Sequence, residues 1–241
     1  MSQGVNPNSL DSDGRQSVVV LLSGGLDSTV ALAEILTRRS ISLVLTFDYG
    51  QRAVRPEIAA AKAIAHHYKL EHRVITLPWL ADLLPHAMRS SPSLSIPEMM
   101  GLEVSPAEAT LWSALDQEAL YDVNRVWVPN RNGVFLNIAA AFAESTGSQC
   151  IVFGANAEEG ESFPDNTPAF RDALTTSLSY STLNGVTVET PVAHLHKRDI
   201  VALGHSLDVP FHLIWSCYEG MDTPCNACPS CLRLNTAQKT V

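Results

Sequence analysis

No run of apolar residues in this chain approaches the roughly 20 that an α-helix needs to cross a bilayer. Residues 1–16 are polar, rich in Ser, Asn, Asp and Gly, and lack the basic and apolar regions of a secretory signal. They read as a disordered lead-in, and the two absences together point to a cytoplasmic protein. Positive charge is also scarce. Lys and Arg total 16 against 25 Asp and Glu, a net charge of −9. A protein that grips nucleic acid nonspecifically carries the opposite balance, so bulk tRNA or DNA binding is disfavoured. A small substrate in a locally basic pocket is not. Charge of either sign is sparse, at 17% of residues beside 46% hydrophobic, and a mean hydropathy of +0.06 suits a soluble globular protein. Five cysteines in 241 residues are too few for a disulfide scaffold.

What is present is an alternation. Residues 18–22, 41–47 and 72–77 are short apolar runs that read as strands. Between them, 27–38 and 55–68 read as helices, the second with Pro56 near its first turn. In the first helix Leu26, Val30, Ala33 and Ile35 or Leu36 are the inward positions. Strand–helix alternation with short apolar strands predicts an α/β fold whose parallel sheet is covered on both faces. A proline- and serine-rich stretch over 85–106 fits a lid or a surface insertion equally. A short helix over 108–120, a helix over 134–145, a strand over 149–153, a helix over 168–181, a strand over 186–189 and a helix over 197–207 follow. The expected organisation is a main domain over 17–209 and a helical element over 210–241.

The strand over 18–22 ends at Leu22 and runs into Ser23-Gly24-Gly25-Leu26-Asp27-Ser28. Glycines let an anion approach the backbone, and the helix that follows offers unpaired N–H groups and the positive end of its dipole. Ser23 and Ser28 add hydroxyl donors. A bare carboxylate repels phosphate, so Asp27 makes sense if it caps the helix or holds a divalent cation. Neither GxxxxGK[ST] nor GxGxxG is present, which excludes the Walker type and the common dinucleotide fingerprint.

Four cysteines, Cys217, Cys225, Cys228 and Cys231, fall within fifteen residues as C-x7-C-x2-C-x2-C. In a reducing compartment such a set suits tetrahedral zinc; an iron–sulfur cluster is the chief rival, and free thiols are the third reading. Four thiolates leave zinc no open position, so the site reads as structural. His205 and His212 read as ordinary helix or loop residues, and Cys150 as a buried core thiol.

The SGGLDS loop resembles the pyrophosphate loop of the ATP pyrophosphatase superfamily. Further along stand FDYGQR at 47–52 with Glu57, VPNRN at 128–132, GANAEE at 154–159 and FPD at 163–165. ETP at 189–191, Lys197 with Asp199 and Ile200, WSCYEG at 215–220 and CNACPSCLRL at 225–234 complete the series. Their order, over residues 17–235, resembles the 7-cyano-7-deazaguanine (preQ0) synthase family, QueC. Two places depart from its pattern. Phe163 and Asn166 flank the Pro164–Asp165 pair where the family carries a tyrosine and then a cysteine, and Gly133-Val134-Phe135 replaces a bulkier aliphatic start.

The resemblance implies a Rossmann-like adenine nucleotide alpha hydrolase fold with a C-terminal zinc-binding element, and a homodimer. It implies ATP and Mg2+, with one structural Zn2+ per chain on the four clustered cysteines. It also implies a ligase that joins ammonia to 7-carboxy-7-deazaguanine through an adenylated carboxylate and an amide. In such a fold, strand ends face the ligand. Leu22, Ser23, Gly24, Gly25, Asp27, Ser28, Asp48 and Tyr49 are then expected around ATP. Arg52, Asn130, Arg131, Asn156, Glu158, Phe163 and Asp165 are expected around the substrate, with Glu158 or Asp165 accepting from the N–H groups of a guanine-like base. Asp27, Arg52, Arg131 and Lys197 are the catalytic candidates. Competing readings are an ion pair of Arg52 with Glu57 or Glu34, a helix cap for Asn130 or Asn132, a solvated acidic loop for Glu158 and Asp165, and a surface position for Lys197. Trp79, Asp82, His86, Trp112 and Trp127 are assigned to packing or surface, and His66, His67, His194 and His196 receive no role. Two functional alternatives stand beside the synthase: a related amidating, thiolating or deazaguanine-transferring enzyme, and a nucleotide-binding zinc module without catalysis.

Overall fold

The structure, a computed structural model, describes residues 15–85, 88 and 126–239. The lead over 1–14, most of the 85–106 stretch with His86, the 108–120 helix and Trp112 lie outside the described residues. The ordered elements are β1 (Ser17–Leu21), α1 (Leu26–Leu36), β2 (Ser40–Asp48), α2 (Val54–His67) and β3 (His72–Thr76). After these come α3 (Arg131–Ser145), β4 (Cys150–Val152), α4 (Ala157–Ser162), α5 (Pro168–Ser181), β5 (Thr187–Glu189), α6 (Lys197–Ser206) and α7 (Pro229–Lys239).

The strands form one parallel sheet in the order β3-β2-β1-β4-β5. The chain winds outward from β1 in one direction to β3, then returns to the other side of β1 through β4 and β5. The switch point therefore lies between β1 and β4, where open α/β sheets hold ligands beyond the strand ends. Period-two alternation divides the apolar strand residues between two faces. Val19, Leu43, Leu45 and Ile151 pack with Leu136 and Ala140 of α3 and Leu178 of α5. Val18, Val20, Val44 and Val152 pack with Val30 and Ile35 of α1, Ile64 of α2 and Ile200 of α6. Cys150 opens β4 and is buried in this second face.

The double covering holds at the centre of the sheet; among the described residues β3 pairs on one side only, and its Val74 is 39% exposed. The helix expected over 134–145 begins at Arg131, three residues earlier. Asn130 takes the left-handed conformation there (φ 54°), which its short polar side chain tolerates, and makes no side-chain cap bond. Asn132 lies inside the first turn. The brief helix α4 is absent from the sequence reading. Within residues 210–239, Ala237 of α7 is buried in the same core face as β1.

Candidate active site

The glycine turn is braced from within and from behind. Ser28 Oγ lies 3.2 Å from the Ser23 amide and 3.0 Å from Ser23 Oγ, while Thr29 Oγ1 donates to Gly25 O at 2.6 Å. Gly24 has φ +81°, and a Cβ there would stand 2.8 Å from Glu57 O of α2. Glycine is thus required both for the turn and for the approach of α2. From the opposite side, a Cβ on Gly154 would stand 2.5 Å from the Ser28 amide, so the turn after β4 rests directly on the start of α1. Trp215 closes the back by donating its amide to Gly24 O at 2.8 Å.

Asp27 does not cap α1. The N-cap is Gly25, without a side-chain bond. Asp27 Oδ2 instead accepts from Lys197 Nζ at 2.5 Å and from Asn156 Nδ2 at 2.9 Å. The pair is recessed, with the Asp27 side chain 12% and the Lys197 side chain 15% exposed, which rules out a surface position for Lys197. Burial works against the Lys197 charge, but Asp27 and Glu159 outweigh it and raise its pKa. Asp27 Oδ1 is buried and has no hydrogen-bond partner among the described residues. An anionic oxygen left so, beside a phosphate-type turn, fits a divalent cation.

Ser23, Ser28, Asp27 and Lys197 line a cavity of about 260 Å³ together with Tyr49, Arg131, Glu159, Trp215 and Tyr218. A second cavity of about 80 Å³ adjoins it, walled by Trp127, Phe163 and Asp165. Met88, Arg131, Glu159, Asn166 and Tyr218 line both. Trp127 and Phe163 present nearly parallel rings, 8° apart with centroids 6.0 Å apart. Asn132 anchors this corner: its amide donates to Asp165 Oδ2 at 3.3 Å and its side chain to Asn166 Oδ1 at 3.2 Å. Arg131 Nη1 donates to Tyr49 OH at 3.4 Å. Burial opposes the Arg131 charge, yet Tyr49 and Asp165 hold it firmly protonated. Burial raises the Asp165 carboxyl against the pull of Arg131, and raises Tyr49 likewise.

Six expected residues, Gly24, Asp48, Arg52, Asn130, Asn156 and Glu158, lie off both cavity walls. Arg52 pairs with neither Glu57 nor Glu34 but with Glu219 at 3.2 Å, both side chains almost fully buried. Glu158 turns away and accepts from the Lys197 amide at 2.8 Å, capping α6. Asp48 Oδ1 accepts from the Gly50 amide at 3.2 Å. Asn130 belongs to the turn before α3. Asn156 acts one layer back, capping α4 through Glu159 N at 2.9 Å while holding Asp27.

The sequence reading gave no role to Glu159, Trp215 and Tyr218 and assigned Trp127 to packing or surface, yet all four line a cavity wall. Adjacent helical positions point about 100° apart. Choosing Glu159 over Glu158 therefore needs the start of α4, which Asn156 marks. The departure at Phe163 had a readable partner in Trp127 only once the fold brought them together.

Cys217, Cys225, Cys228 and Cys231 bring their sulfurs within 4.8 Å of one another. The Cys217–Cys225 and Cys225–Cys231 sulfurs are 3.5 and 4.0 Å apart, around the ~3.8 Å edge of a tetrahedron with ~2.3 Å metal–sulfur bonds. Backbone amides of Glu219 and Cys228 donate to Cys217 and Cys225 sulfurs at 3.3 and 3.2 Å, as thiolates require. Hydrogen bonds from Cys217 and the other two thiols push the Cys225 thiol far down. The cluster can hold a metal ion.

The sequence model of the family described as "Queuosine biosynthesis protein QueC" matches residues 17–241. The 7-cyano-7-deazaguanine synthase of Pelotomaculum thermopropionicum is 52% identical over 222 residues, covering 92% of this chain and 96% of that one. The synthase of Desulforamulus reducens is 47% identical over 216 residues, covering 90% of each. Among solved structures, a 4-thiouridine synthetase–RNA complex with bound ATP superposes with a TM-score of 0.52 at 18% identity, covering 95% of this chain and 51% of that one, a likeness of fold. With its match running from β1 through the cysteine cluster to the end of α7, this chain belongs to the QueC family of queuosine biosynthesis proteins.

Proposed function

We propose that the chain converts 7-carboxy-7-deazaguanine, ammonia and ATP into 7-cyano-7-deazaguanine, as a carbon–nitrogen ligase of the cytoplasm. The observation that carries this reading is the pair of adjoining cavities with Arg131 and Glu159 in their common wall. The larger one takes the nucleotide. Ser23, Ser28 and the first amides of α1 hold its phosphates, and Lys197 adds positive charge. Mg2+ held by Asp27 would neutralise phosphate charge. The smaller one takes the deazapurine, against the Trp127 and Phe163 rings, with Asp165 accepting from ring N–H groups. The carboxylate then lies beside Arg131, facing the nucleotide.

A carboxylate oxygen is a poor leaving group. Its attack on the α-phosphorus forms an O–P bond and expels pyrophosphate, leaving an acyl adenylate. Ammonia adds at the acyl carbon, AMP departs with the C–O electron pair, and the amide results. A second adenylation, on the amide oxygen, followed by loss of two N–H protons and AMP, gives the nitrile. The chain's part is to hold reactants together and to place cations where charge develops. Zn2+ on the four cysteines would stabilise the cavity wall through its thiolate bonds, and the functional unit in this reading is a homodimer.

The test is mass spectrometry of metal-replete protein with ATP, Mg2+, ammonium and 7-carboxy-7-deazaguanine. The expected product is the nitrile, with AMP and pyrophosphate. Accumulating amide would support only the first half-reaction. ATP bound without any base-derived product would favour a different acyl acceptor or a binding module.

A further inference from the structure

The proposed reaction leaves a proton without an acceptor. Nitrogen that adds to the acyl adenylate carries three hydrogens and a positive charge, and the amide keeps two. The acceptor must reach the acyl carbon, which lies where the two cavities meet. Of the other groups in that common wall, Met88 and Asn166 are not bases, Tyr218 offers a phenol that must first lose a proton of its own, and Arg131 keeps its proton. Around it, Asp27 is engaged by Lys197 and Asn156, Glu57 accepts from Gln51 Nε2 at 2.8 Å, and Asp165 accepts from the Asn132 amide. Glu159 differs from all three. It lines both cavities, its carboxylate lies 3.9 Å from Lys197 Nζ, and its own backbone is fixed by the Asn156 cap.

We propose that Glu159 is the catalytic base of the amination step. It takes a proton from the attacking nitrogen as the C–N bond forms and AMP leaves with the C–O electrons. Once it has released that proton to solvent, in the second half-reaction it takes one of the two N–H protons lost as the nitrile forms, the other passing to solvent. This rests on the function proposed above. The groups that face Glu159 are Asp27 of α1, Arg131 of α3, Lys197 of α6 and Arg233 of α7. Burial, helped by Asp27, raises its carboxyl while Lys197 and the arginines restrain it, which brings the group closer to the working pH.

Glu159→Gln separates the steps. Adenylation is read as ATP–pyrophosphate exchange that depends on 7-carboxy-7-deazaguanine, amination as ammonium-dependent turnover. Exchange in the variant should stay within about threefold of the parent while turnover with ammonium falls by about 10²- to 10⁴-fold. Hydroxylamine, a weaker base that attacks activated acyl groups without help, should give hydroxamate at nearly the parent rate. Glu159→Asp keeps a carboxylate on the same cap and should recover at least about tenfold of the lost turnover. The proposal is overturned if ammonium turnover in Glu159→Gln stays near the parent rate, if exchange or hydroxamate formation falls as far as turnover, or if Asp does no better than Gln. Absence of exchange in the parent protein would sink the function itself, an outcome distinct from these.

Discussion

At the scale of single residues, Asp27 and Lys197 form a recessed ion pair. Removing one partner leaves a buried charge uncompensated, which typically costs about 3–5 kcal/mol. Lys197→Met should lower unfolding free energy in urea by roughly that amount, and adding Asp27→Asn should return a good part of it, since the two effects belong to one pair. Additive losses in the double variant would mean the contact contributes little. Cys150 gives a second test. Burial, with help from Glu189, pushes its thiol up to about 12, so it should resist alkylation at pH 8 until the chain unfolds, even after a chelator has exposed the Cys217 cluster. Labelling of Cys150 in the native state would contradict its placement in β4. At this scale the sequence was informative wherever a short motif fixes its own geometry. The loop serines, Asp27, Arg131 and the four cysteines are of this kind. It was least informative where the choice lay between neighbours, as with Glu158 and Glu159, or where the partner comes from a distant segment, as with Arg52 and Glu219, 167 positions apart.

At the scale of elements, the sheet centre was legible because uninterrupted aliphatic runs admit little else than buried parallel strands. The β3 edge was not, since an apolar run looks the same with one neighbour or two. α4, six residues long, carries no hydrophobic period and is held by the Asn156 cap. β3 also contributes a pH dependence. Its His72 Nε2 lies 2.8 Å from Thr46 Oγ1 of β2, and burial, then Lys62, lowers its pKa. The unfolded chain therefore binds the proton first as pH falls. Stability contributed by neutral His72 is complete above about 6.5 and is lost on descending from there toward the lowered folded value. His72→Gln should flatten that part of the profile in denaturation series between pH 7.5 and 5.5; an unchanged slope would assign it to other groups.

At the scale of the whole molecule, the cysteine loop and the phosphate turn are one construction. Trp215 bonds Gly24, Glu219 pairs with Arg52, and Trp215, Tyr218 and Ser230 face the larger cavity. Stripping the metal under reducing conditions should lower Tm by on the order of 10 °C, as a loss of about 4 kcal/mol would in a chain of this size. It should also weaken ATP binding at least about tenfold, or 1.4 kcal/mol, measured by calorimetry. A fall in Tm with unchanged ATP affinity would restrict the metal to holding α7. The Gly24–Trp215 bond also has a meaning in time. At ~5–20 residues per second, the ribosome adds Trp215 roughly 10–40 s after Gly24. The nascent chain thus carries a phosphate turn with its back open for most of its synthesis, until the cysteine loop emerges and brings Trp215 to Gly24.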